Sequence, residues 1–249
     1  MTTNAVTPSA AAPSVEGLRV QIYADGADRA AIASLAERPY IAGFTTNPTL
    51  MRKAGVTDYA AFAREVLGIV GDRGISFEVV ADTFPEMERE ARVIASWGRN
   101  VFVKIPVTDS SGAPSYDLVR RLSADGIQLN VTALLTQEQV QGVSDALDPK
   151  VPSLISVFAG RLADTGRDPI PVMARSVAIM KPRPAQQLVW ASPREVLNVF
   201  QADSIGCHVI TVTREILDKL TMVGMDPAAL SLETVRMFLR DARAAGFAI

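Results

Sequence analysis

Residues 101–131, VFVKIPVTDSSGAPSYDLVRRLSADGIQLNV, contain the unit that decides the fold. An apolar run, Val101–Ile105, is followed by a polar turn, by a segment with helical periodicity, Ser115–Asp125, and by a second apolar run, Ile127–Val131. Strands that are almost continuously apolar and alternate with helices are typical of a parallel sheet covered by helices on both faces. The stretch therefore predicts a strand, a crossover helix and a second strand parallel to the first.

The same unit recurs along the chain from Arg19 onward. Eight apolar runs predict strands at Val20–Ala24, Ile41–Phe44, Ile75–Val80, Val101–Ile105, Ile127–Val131, Leu154–Phe158, Gln187–Ala191 and Val209–Val212. Helical stretches are Asp28–Ala36, Asp58–Val70, Phe84–Trp97, Ser115–Asp125, Thr136–Leu147, Ile170–Lys181, Pro193–Ala202, Arg214–Lys219 and Ser231–Ala245. Eight such units predict an α/β fold, a single-domain (β/α)8 TIM barrel. A doubly wound open sheet is the alternative, but Tyr23–Asp28 has one glycine where its dinucleotide-binding turn needs three.

The predicted organisation is a disordered tail, residues 1–18, followed by the barrel with a C-terminal helical region, residues 19–249. The tail, MTTNAVTPSAAAPSVEGL, lacks the basic start and apolar core of a signal peptide. No stretch reaches the ~18 apolar residues of a membrane span, so no membrane partner is expected. A single cysteine gives no sign of an oxidising compartment, and the cytoplasm is the expected location.

Composition excludes several function classes. The net charge of -2 argues against general nucleic-acid binding, which needs a dense basic face. One cysteine and one histidine leave no material for a Cys-rich zinc site or a His-based metal cluster. A Ser-His-Asp or Cys-His site would depend on His208 alone. The chemistry must therefore rest on Lys, Asp, Glu, Asn, Thr, Ser and Arg.

Polar residues mark nearly every predicted strand end, and barrel enzymes carry their active sites at the C-terminal ends of the strands. The residues at these ends are Asp25, Thr45, Thr46, Asn47, Glu78, Lys104, Asn130, Thr132, Ser156, Phe158, Arg161, Ser192 and Arg194, all of them polar except Phe158. A purely structural barrel would not need polar groups at so many ends.

Lys104 places a charge within an apolar strand. Side chains alternate between the faces of a strand, so Lys104 shares one face with Phe102, while Val101, Val103 and Ile105 share the other. If the aliphatic face meets the helices, Lys104 points into the barrel. Burial disfavours the charged form of an amine, and a neutral amine can attack a carbonyl to form a Schiff base. The alternatives are a lysine that reaches solvent at the strand end or neutralises a buried carboxylate.

Asp25 and Glu78 are the acid–base candidates. A Schiff-base enzyme must move protons to and from the substrate hydroxyl and water, and two carboxylates near one lysine could divide that work. The structural alternative for Asp25 is a helix N-cap near Asp28, and for Glu78 an ion pair with Lys104 alone.

Arg161 and Arg194 follow late strands of the predicted barrel, next to Gly160 and Pro193. Loops at this end of a barrel often hold phosphate, and guanidinium suits it; a solvated surface arginine is the alternative. Four further residues of interest are expected to be structural, namely His208, Cys207, Trp97 and Trp190.

Four blocks of the sequence resemble those of the transaldolase family. They are GFTTNPTL (43–50), VFVKIPVT (101–108), IQLNVTAL (127–134) and ISVFAGR (155–161), in the family's order and at similar spacing. The length resembles that of the small transaldolases and the related fructose-6-phosphate aldolases.

The resemblance implies a class I aldolase barrel without cofactor or metal, in which Lys104 forms the imine with a ketose and Asp25 is the acid–base of carbon–carbon cleavage. It further implies that Glu78 and Thr132 hold the catalytic water. Substrate contacts are implied for the remaining residues: Asn47, Asn130 and Ser156 at the dihydroxyacetone portion, and Arg161, Ser192 and Arg194 at a phosphate. Thr46 and Phe158 are further expected substrate-binding residues.

The resemblance favours transfer over aldol cleavage, because the aldolase branch is expected to carry Gln at position 78 and Tyr at position 158. Pro193 and Glu195 depart from the family pattern beside the proposed anion site, which leaves open an unusual sulfonated or deoxy sugar. Fructose-6-phosphate aldolase-like cleavage and a sugar-phosphate-binding barrel without activity also stay open. The expected partners are phosphorylated or other anionic sugars, and a homo-oligomer is expected.

Overall fold

The computed structural model describes residues 13–247 and contains a closed barrel of eight parallel strands. The strands are β1 (Gln21–Asp25), β2 (Ile41–Thr45), β3 (Gly74–Glu78), β4 (Val101–Pro106), β5 (Leu129–Leu134), β6 (Ser153–Val157), β7 (Gln186–Trp190) and β8 (Val209–Thr213). Their order around the barrel follows the chain, and β1 pairs with both β2 and β8, which closes the sheet. The prediction of a (β/α)8 barrel is confirmed, and the open sheet was the wrong alternative.

Helices follow every strand. They are α1 (Arg29–Ala36), α2 (Pro48–Lys53), α3 (Tyr59–Val70), α4 (Phe84–Ala95), α5 (Tyr116–Ala124), α6 (Gln137–Ala146), α7 (Ala159–Asp164), α8 (Ile170–Met180), α9 (Leu197–Ser204), α10 (Arg214–Asp218) and α11 (Pro227–Ala244). Two of these, α2 and α7, are absent from the sequence prediction. Each has six residues, fewer than two turns, and so shows no helical period that a sequence pattern could display.

Many element ends lie one or more residues from the prediction, such as that of β3, which ends at Glu78 rather than Val80. Three of the differences have local reasons. Strand β5 starts two residues later than expected because the N–H of Ile127 bonds the Leu122 carbonyl and closes the end of α5. Helix α9 starts at Leu197 rather than Pro193, since the Asn198 side chain takes up the N–H groups of Arg194 and Glu195. Helix α11 starts four residues before Ser231, because Asp226 caps it.

The two faces of β4 separate as the alternation predicts. Its aliphatic residues are almost completely buried: Val101, Val103 and Ile105. On the other face, Phe102 packs against an apolar cluster inside the barrel, formed by Tyr23, Leu154, Val189 and Val209. Lys104 follows it on the same face, where the barrel interior becomes polar. Apolar side chains thus fill one part of the interior, and the polar part is left for chemistry.

The described part of the chain divides into two compact units, the barrel at residues 19–218 and a unit that holds residues 13–18 and 219–247. Residues 1–12 of the predicted tail lie outside the described residues, and residues 13–18 form neither helix nor strand. In the second unit a 3-10 turn, Lys219–Met222, precedes α11. Within residues 13–247, no helix is both long and apolar enough to span a membrane. The cytoplasmic location and the single barrel domain of residues 19–249 stay predictions.

Candidate active site

A polar cavity of about 480 Å³ opens at the C-terminal ends of the barrel strands. It brings together the predicted site residues Asp25, Asn47, Glu78, Lys104, Asn130, Thr132, Ser156, Phe158, Arg161, Ser192 and Arg194. Thr46 is the exception. It is fully buried outside the cavity lining, and its hydroxyl donates to the Ser76 carbonyl at 2.9 Å. Its carbonyl, rather than its side chain, faces the site.

Lys104 is held inside the barrel with 7% of its surface exposed. Its Nζ lies 3.1 Å from Glu78 Oε2 and donates to the Thr46 carbonyl, also at 3.1 Å. The pair arises because Glu78 and Lys104 are register partners on the neighbouring strands β3 and β4. The predicted inward orientation of Lys104 is confirmed, and the interpretation in which it escapes to solvent was wrong.

The Thr132 hydroxyl borders this pair and is buried without a hydrogen-bond partner among the described residues. Thr132 is opposite Pro106 in the β4–β5 register, two residues along β4 from Lys104. A buried hydroxyl without a partner is costly, and such groups are rare in native structures. Thr132 is therefore available to bind a water molecule or a hydroxyl of a ligand.

Asp25 ends β1 at the cavity and accepts a hydrogen bond from the Thr45 hydroxyl at 2.8 Å. Burial raises the pKa of the Asp25 carboxyl, and the nearby Lys104 charge and the Thr45 hydroxyl oppose that rise. Asp25 does not cap α1. That role belongs to Asp28, whose side chain accepts from the Ala31 N–H at 2.7 Å, so the capping alternative was wrong for Asp25.

Asn130 and Ser156 form an ordered polar floor. The Ser156 hydroxyl donates to Asn130 Oδ1 at 2.7 Å, and Asn130 Nδ2 donates to the Ser76 hydroxyl at 2.9 Å. All three side chains are buried, and their mutual hydrogen bonds fix the orientation of the Asn130 amide. Such an arrangement can bind ligand hydroxyls without having to reorganise.

The loops after β6 and β7 approach each other closely at Gly160. A Cβ atom on Gly160 would lie 1.5 Å from the Ser192 carbonyl oxygen, so only glycine fits there. Ser192 itself adopts a left-handed backbone with φ of 57°. This contact brings Arg161 and Arg194 to one side of the cavity.

The two arginines have different surroundings. The Arg194 guanidinium bonds both carboxylate oxygens of Asp164, with Nε 2.9 Å from Oδ1, and it lowers the pKa of that carboxyl. Arg161 lies over the Phe158 ring at 5.4 Å and has no ion-pair partner among the described residues. Glu195, expected to place its charge at this site, does not line the cavity. The acidic residue that matters here is Asp164.

Two residues at the site, Asp164 and Thr211, were not predicted from the sequence. Asp164 lies three positions after Arg161 on the short helix α7, which no periodic signal reveals. Thr211 of β8 lines the cavity and hydrogen-bonds the Thr45 hydroxyl. An alternating T-x-T pattern in β8, Thr211 and Thr213, was the available signal.

The residues expected to be structural lie away from the cavity lining. His208 Nδ1 accepts the Leu188 N–H at 3.0 Å, and burial lowers the pKa of this histidine. Burial raises the pKa of the Cys207 thiol to about 12, which leaves it protonated. Trp190 is fully buried, and Trp97 packs against other rings.

Among the described residues, no group of three or more His, Cys, Asp or Glu side chains is arranged to hold a metal ion. The expectation that no metal or cofactor is needed stays an expectation.

Solved structures with the same fold include a putative phosphonomutase from Burkholderia cenocepacia and KGPDC from Streptococcus mutans. Their TM-scores are 0.53 and 0.55, at 9% and 10% sequence identity. The first alignment covers 89% of this chain and 94% of that protein, and the second covers 80% and 90%. At this identity the likeness concerns the barrel fold alone.

Similarity in sequence is more specific. A probable transaldolase of Dehalococcoides mccartyi is 32% identical over 199 residues, covering 80% of this chain and 88% of that protein. A probable transaldolase of a Thermoanaerobacter species is 33% identical over 210 residues, covering 84% and 90%. The sequence model of the Transaldolase/Fructose-6-phosphate aldolase family matches residues 22–249. The chain belongs to this family.

Proposed function

We propose that this protein is a transaldolase that moves a dihydroxyacetone unit from a ketose phosphate to an aldose phosphate through a Schiff base on Lys104. The observation that carries the proposal is the buried Lys104 amine in the cavity, with the Glu78 carboxylate 3.1 Å away. Family membership and the relatives named probable transaldolase agree with it.

Imine formation uses Lys104 and Glu78. Glu78 first takes a proton from the Lys104 ammonium group. The neutral amine then attacks the ketose carbonyl, a carbon–nitrogen bond forms as the carbonyl π bond breaks, and a proton moves from that nitrogen to the oxygen to give a carbinolamine. Loss of that oxygen as water requires a second proton, which Glu78 delivers through a water molecule held by the Thr132 hydroxyl. The unpartnered Thr132 hydroxyl supports this assignment.

Carbon–carbon cleavage uses Asp25 as a base. The carboxylate takes the proton of the hydroxyl on the far side of the bond that breaks, and the released electron pair moves into the iminium to give an enamine. An aldose leaves, a second aldose enters, and its carbonyl carbon accepts the enamine. Asp25 then returns the proton to the new hydroxyl, and water adds to the iminium, which breaks the carbon–nitrogen bond and releases the new ketose from Lys104. A raised pKa makes the Asp25 carboxylate a stronger base, which suits the uptake of the hydroxyl proton.

Two parts of the cavity orient the substrate. One is the polar floor formed by Asn130 and Ser156, and the other is the anion end, which carries Arg161, Ser192 and Arg194. Asn130 and Ser156 hold the dihydroxyacetone hydroxyls, together with the amide N–H groups of Asn47, whose Oδ1 already caps α2. Arg161 and Ser192 bind the phosphate. The Arg194 guanidinium binds the phosphate while it also keeps its hydrogen bonds to Asp164.

We further propose that the protein acts as a homo-oligomer. Helix α11 has no buried residue among its 18 positions, and its exposed side chains include Leu232, Val235 and Leu239. At i, i+3 and i+7 these three share one helix face, a pattern that is typical of helices that pack against a partner.

The test of transfer is the dependence of turnover on an acceptor. Fructose 6-phosphate is supplied with and without a four-carbon aldose phosphate, and product sugars and free dihydroxyacetone are measured separately. We expect turnover only with the acceptor. In the double variant Glu78→Gln, Phe158→Tyr, transfer should fall and acceptor-independent release should rise, as in the aldolase branch. Fast release of dihydroxyacetone by the wild type without acceptor would contradict transfer and favour aldol cleavage.

A further inference from the structure

The end of strand β3, which carries Glu78, lacks a neighbouring strand on one side. Successive residues of a strand direct their backbone groups to opposite neighbours. The N–H groups of Ile75 and Val79 donate to the carbonyls of residues 100 and 104 on the β4 side. The backbone N–H and carbonyl of Glu78 therefore point to the opposite side, toward β2. Strand β2 ends at Thr45, and the chain turns into α2 with Asn47 as its N-cap. The N–H and carbonyl of Glu78 therefore find no strand partner.

The hydroxyl of Tyr59 replaces that missing partner. It accepts the Glu78 N–H at 2.8 Å and donates to the Glu78 carbonyl at 2.9 Å. Tyr59 is the first residue of α3, where Asp58 caps the helix by accepting the Ala61 N–H. One phenol thus satisfies both backbone groups of the residue whose carboxylate contacts Lys104.

Aromatic packing fixes the position of that phenol. The Tyr59 ring meets Phe77 and Trp97 edge to face, with ring centroids 6.2 Å and 5.5 Å apart. Phe77 precedes Glu78 in β3 and is fully buried. Burial also raises the pKa of the Tyr59 hydroxyl, so it stays protonated and keeps its donor function across the working pH range.

We infer that Tyr59 is a positioning residue for Glu78: its hydroxyl holds the end of β3 so that the Glu78 carboxylate stays within reach of Lys104 and of the bound sugar. This inference rests on the proposed Schiff-base chemistry for its kinetic consequence. Tyr59 does not line the cavity, so it acts on the site through the residues it contacts, chiefly the Glu78 backbone.

The kinetic test is the rate of imine formation in Tyr59→Phe, measured by rapid mixing with a ketose phosphate and quenching in borohydride. Small misplacements of catalytic groups reduce rates strongly, and we expect a loss on the order of 10-fold. The matched control is Tyr40→Phe, which removes an exposed hydroxyl that contacts Arg38. We expect it to react at the wild-type rate.

A double-mutant cycle separates positioning from general weakening of the fold. If Tyr59 acts through Glu78, Tyr59→Phe should have no further effect on imine formation once Glu78→Gln is present. Equal losses in both backgrounds would overturn the inference, as would a wild-type rate in the single variant. Thermal unfolding of all variants checks that each is folded.

A measurement without substrate keeps the inference testable if no ketose is ever trapped. In protein labelled with ¹³C at the Glu carboxyls, the Glu78 resonance is the one that disappears in Glu78→Gln. Tyr59→Phe should move this resonance, while Tyr40→Phe should leave it unchanged. An unmoved resonance would overturn the role of Tyr59. A moved resonance without any trapping would support that role and contradict the proposed function.

Discussion

Asp25 is half-buried at the cavity, and the loss of solvent around its carboxyl raises the pKa of that group. A carboxyl whose pKa is raised in the folded state binds a proton more tightly there than in the unfolded chain. Its protonated form is thus favoured by folding, and its contribution to stability is lost as the pH rises through the raised pKa. The ionised Asp25 therefore lowers stability at neutral pH.

Asp25→Asn should accordingly be more stable than the wild type and inactive. Because asparagine does not titrate, the difference in Tm between the variant and the wild type should grow as the pH is raised from acid to neutral. Each kcal/mol of added stability should raise Tm by about 2–4 °C. Thermal unfolding across this range and a turnover assay check both parts. The control is Asp28→Asn, which keeps the cap of α1 and should change neither value. A lower Tm at neutral pH, or retained turnover, would count against the role given to Asp25.

Of the two arginines that line the cavity, Arg161 is the one whose guanidinium makes no ion pair among the described residues. Charge-assisted hydrogen bonds are worth ~1.5–3 kcal/mol, so Arg161→Ala should lower kcat/KM for a phosphorylated ketose by about 10- to 200-fold. The loss in Arg194→Ala should be smaller, because Asp164 already occupies that guanidinium. Lysine at position 161 should rescue in part, since it supplies charge without the planar fork.

The control for the arginines is the matching ketose without phosphate, on which both variants should resemble the wild type. Arg175→Ala, an exposed arginine of α8 outside the cavity, makes the same change in net charge and should act like the wild type on both substrates. Equal losses on the charged and uncharged sugars would mean that Arg161 and Arg194 support the fold rather than the anion.

At the scale of elements, the close approach between the loops after β6 and β7 decides the shape of the anion end. Gly160→Ala would push its Cβ into the Ser192 carbonyl, and backbone cannot yield as a flexible side chain can. We expect a loss of about 2–4 kcal/mol in the free energy of unfolding and a raised KM for the phosphorylated sugar. Denaturant unfolding and steady-state kinetics measure the two effects.

Gly68→Ala is the matched control for that substitution. Gly68 lies inside α3 with open space around its Cβ position, so alanine should be neutral or stabilise by up to about 1 kcal/mol. If Gly160→Ala proves as harmless as Gly68→Ala, the contact with Ser192 does not constrain these loops.

The same scale shows which features can be predicted from the sequence. The inward orientation of Lys104 could be predicted because alternation along one strand is a local property. The contacts of Asp164 and Tyr59 could not be predicted, because they depend on how separate elements pack. Asp164 of α7 meets Arg194 30 positions later, and Tyr59 of α3 meets the end of β3 19 positions later. Burial of Thr46 likewise depends on the barrel as a whole.

At the scale of the whole molecule, the exposed apolar face of α11 bears on assembly. We predict that the wild type sediments as a homo-oligomer and that Val235→Glu, which places a charge on the shared face of Leu232 and Leu239, yields smaller species. Arg240→Glu changes charge on the same helix away from that face and should leave the assembly unchanged. Analytical ultracentrifugation decides, and a monomeric wild type at micromolar concentration would contradict the proposal.

The central claim is that the Lys104 amine forms a covalent imine with a ketose. Incubation with fructose 6-phosphate, reduction with borohydride and peptide mapping by mass spectrometry should locate a reduced three-carbon unit or whole sugar on Lys104. The label should be absent from Lys104→Ala and retained in Lys181→Ala, a variant of an exposed lysine at the end of α8. A label that persists in Lys104→Ala, or that never forms with any ketose, would contradict the account.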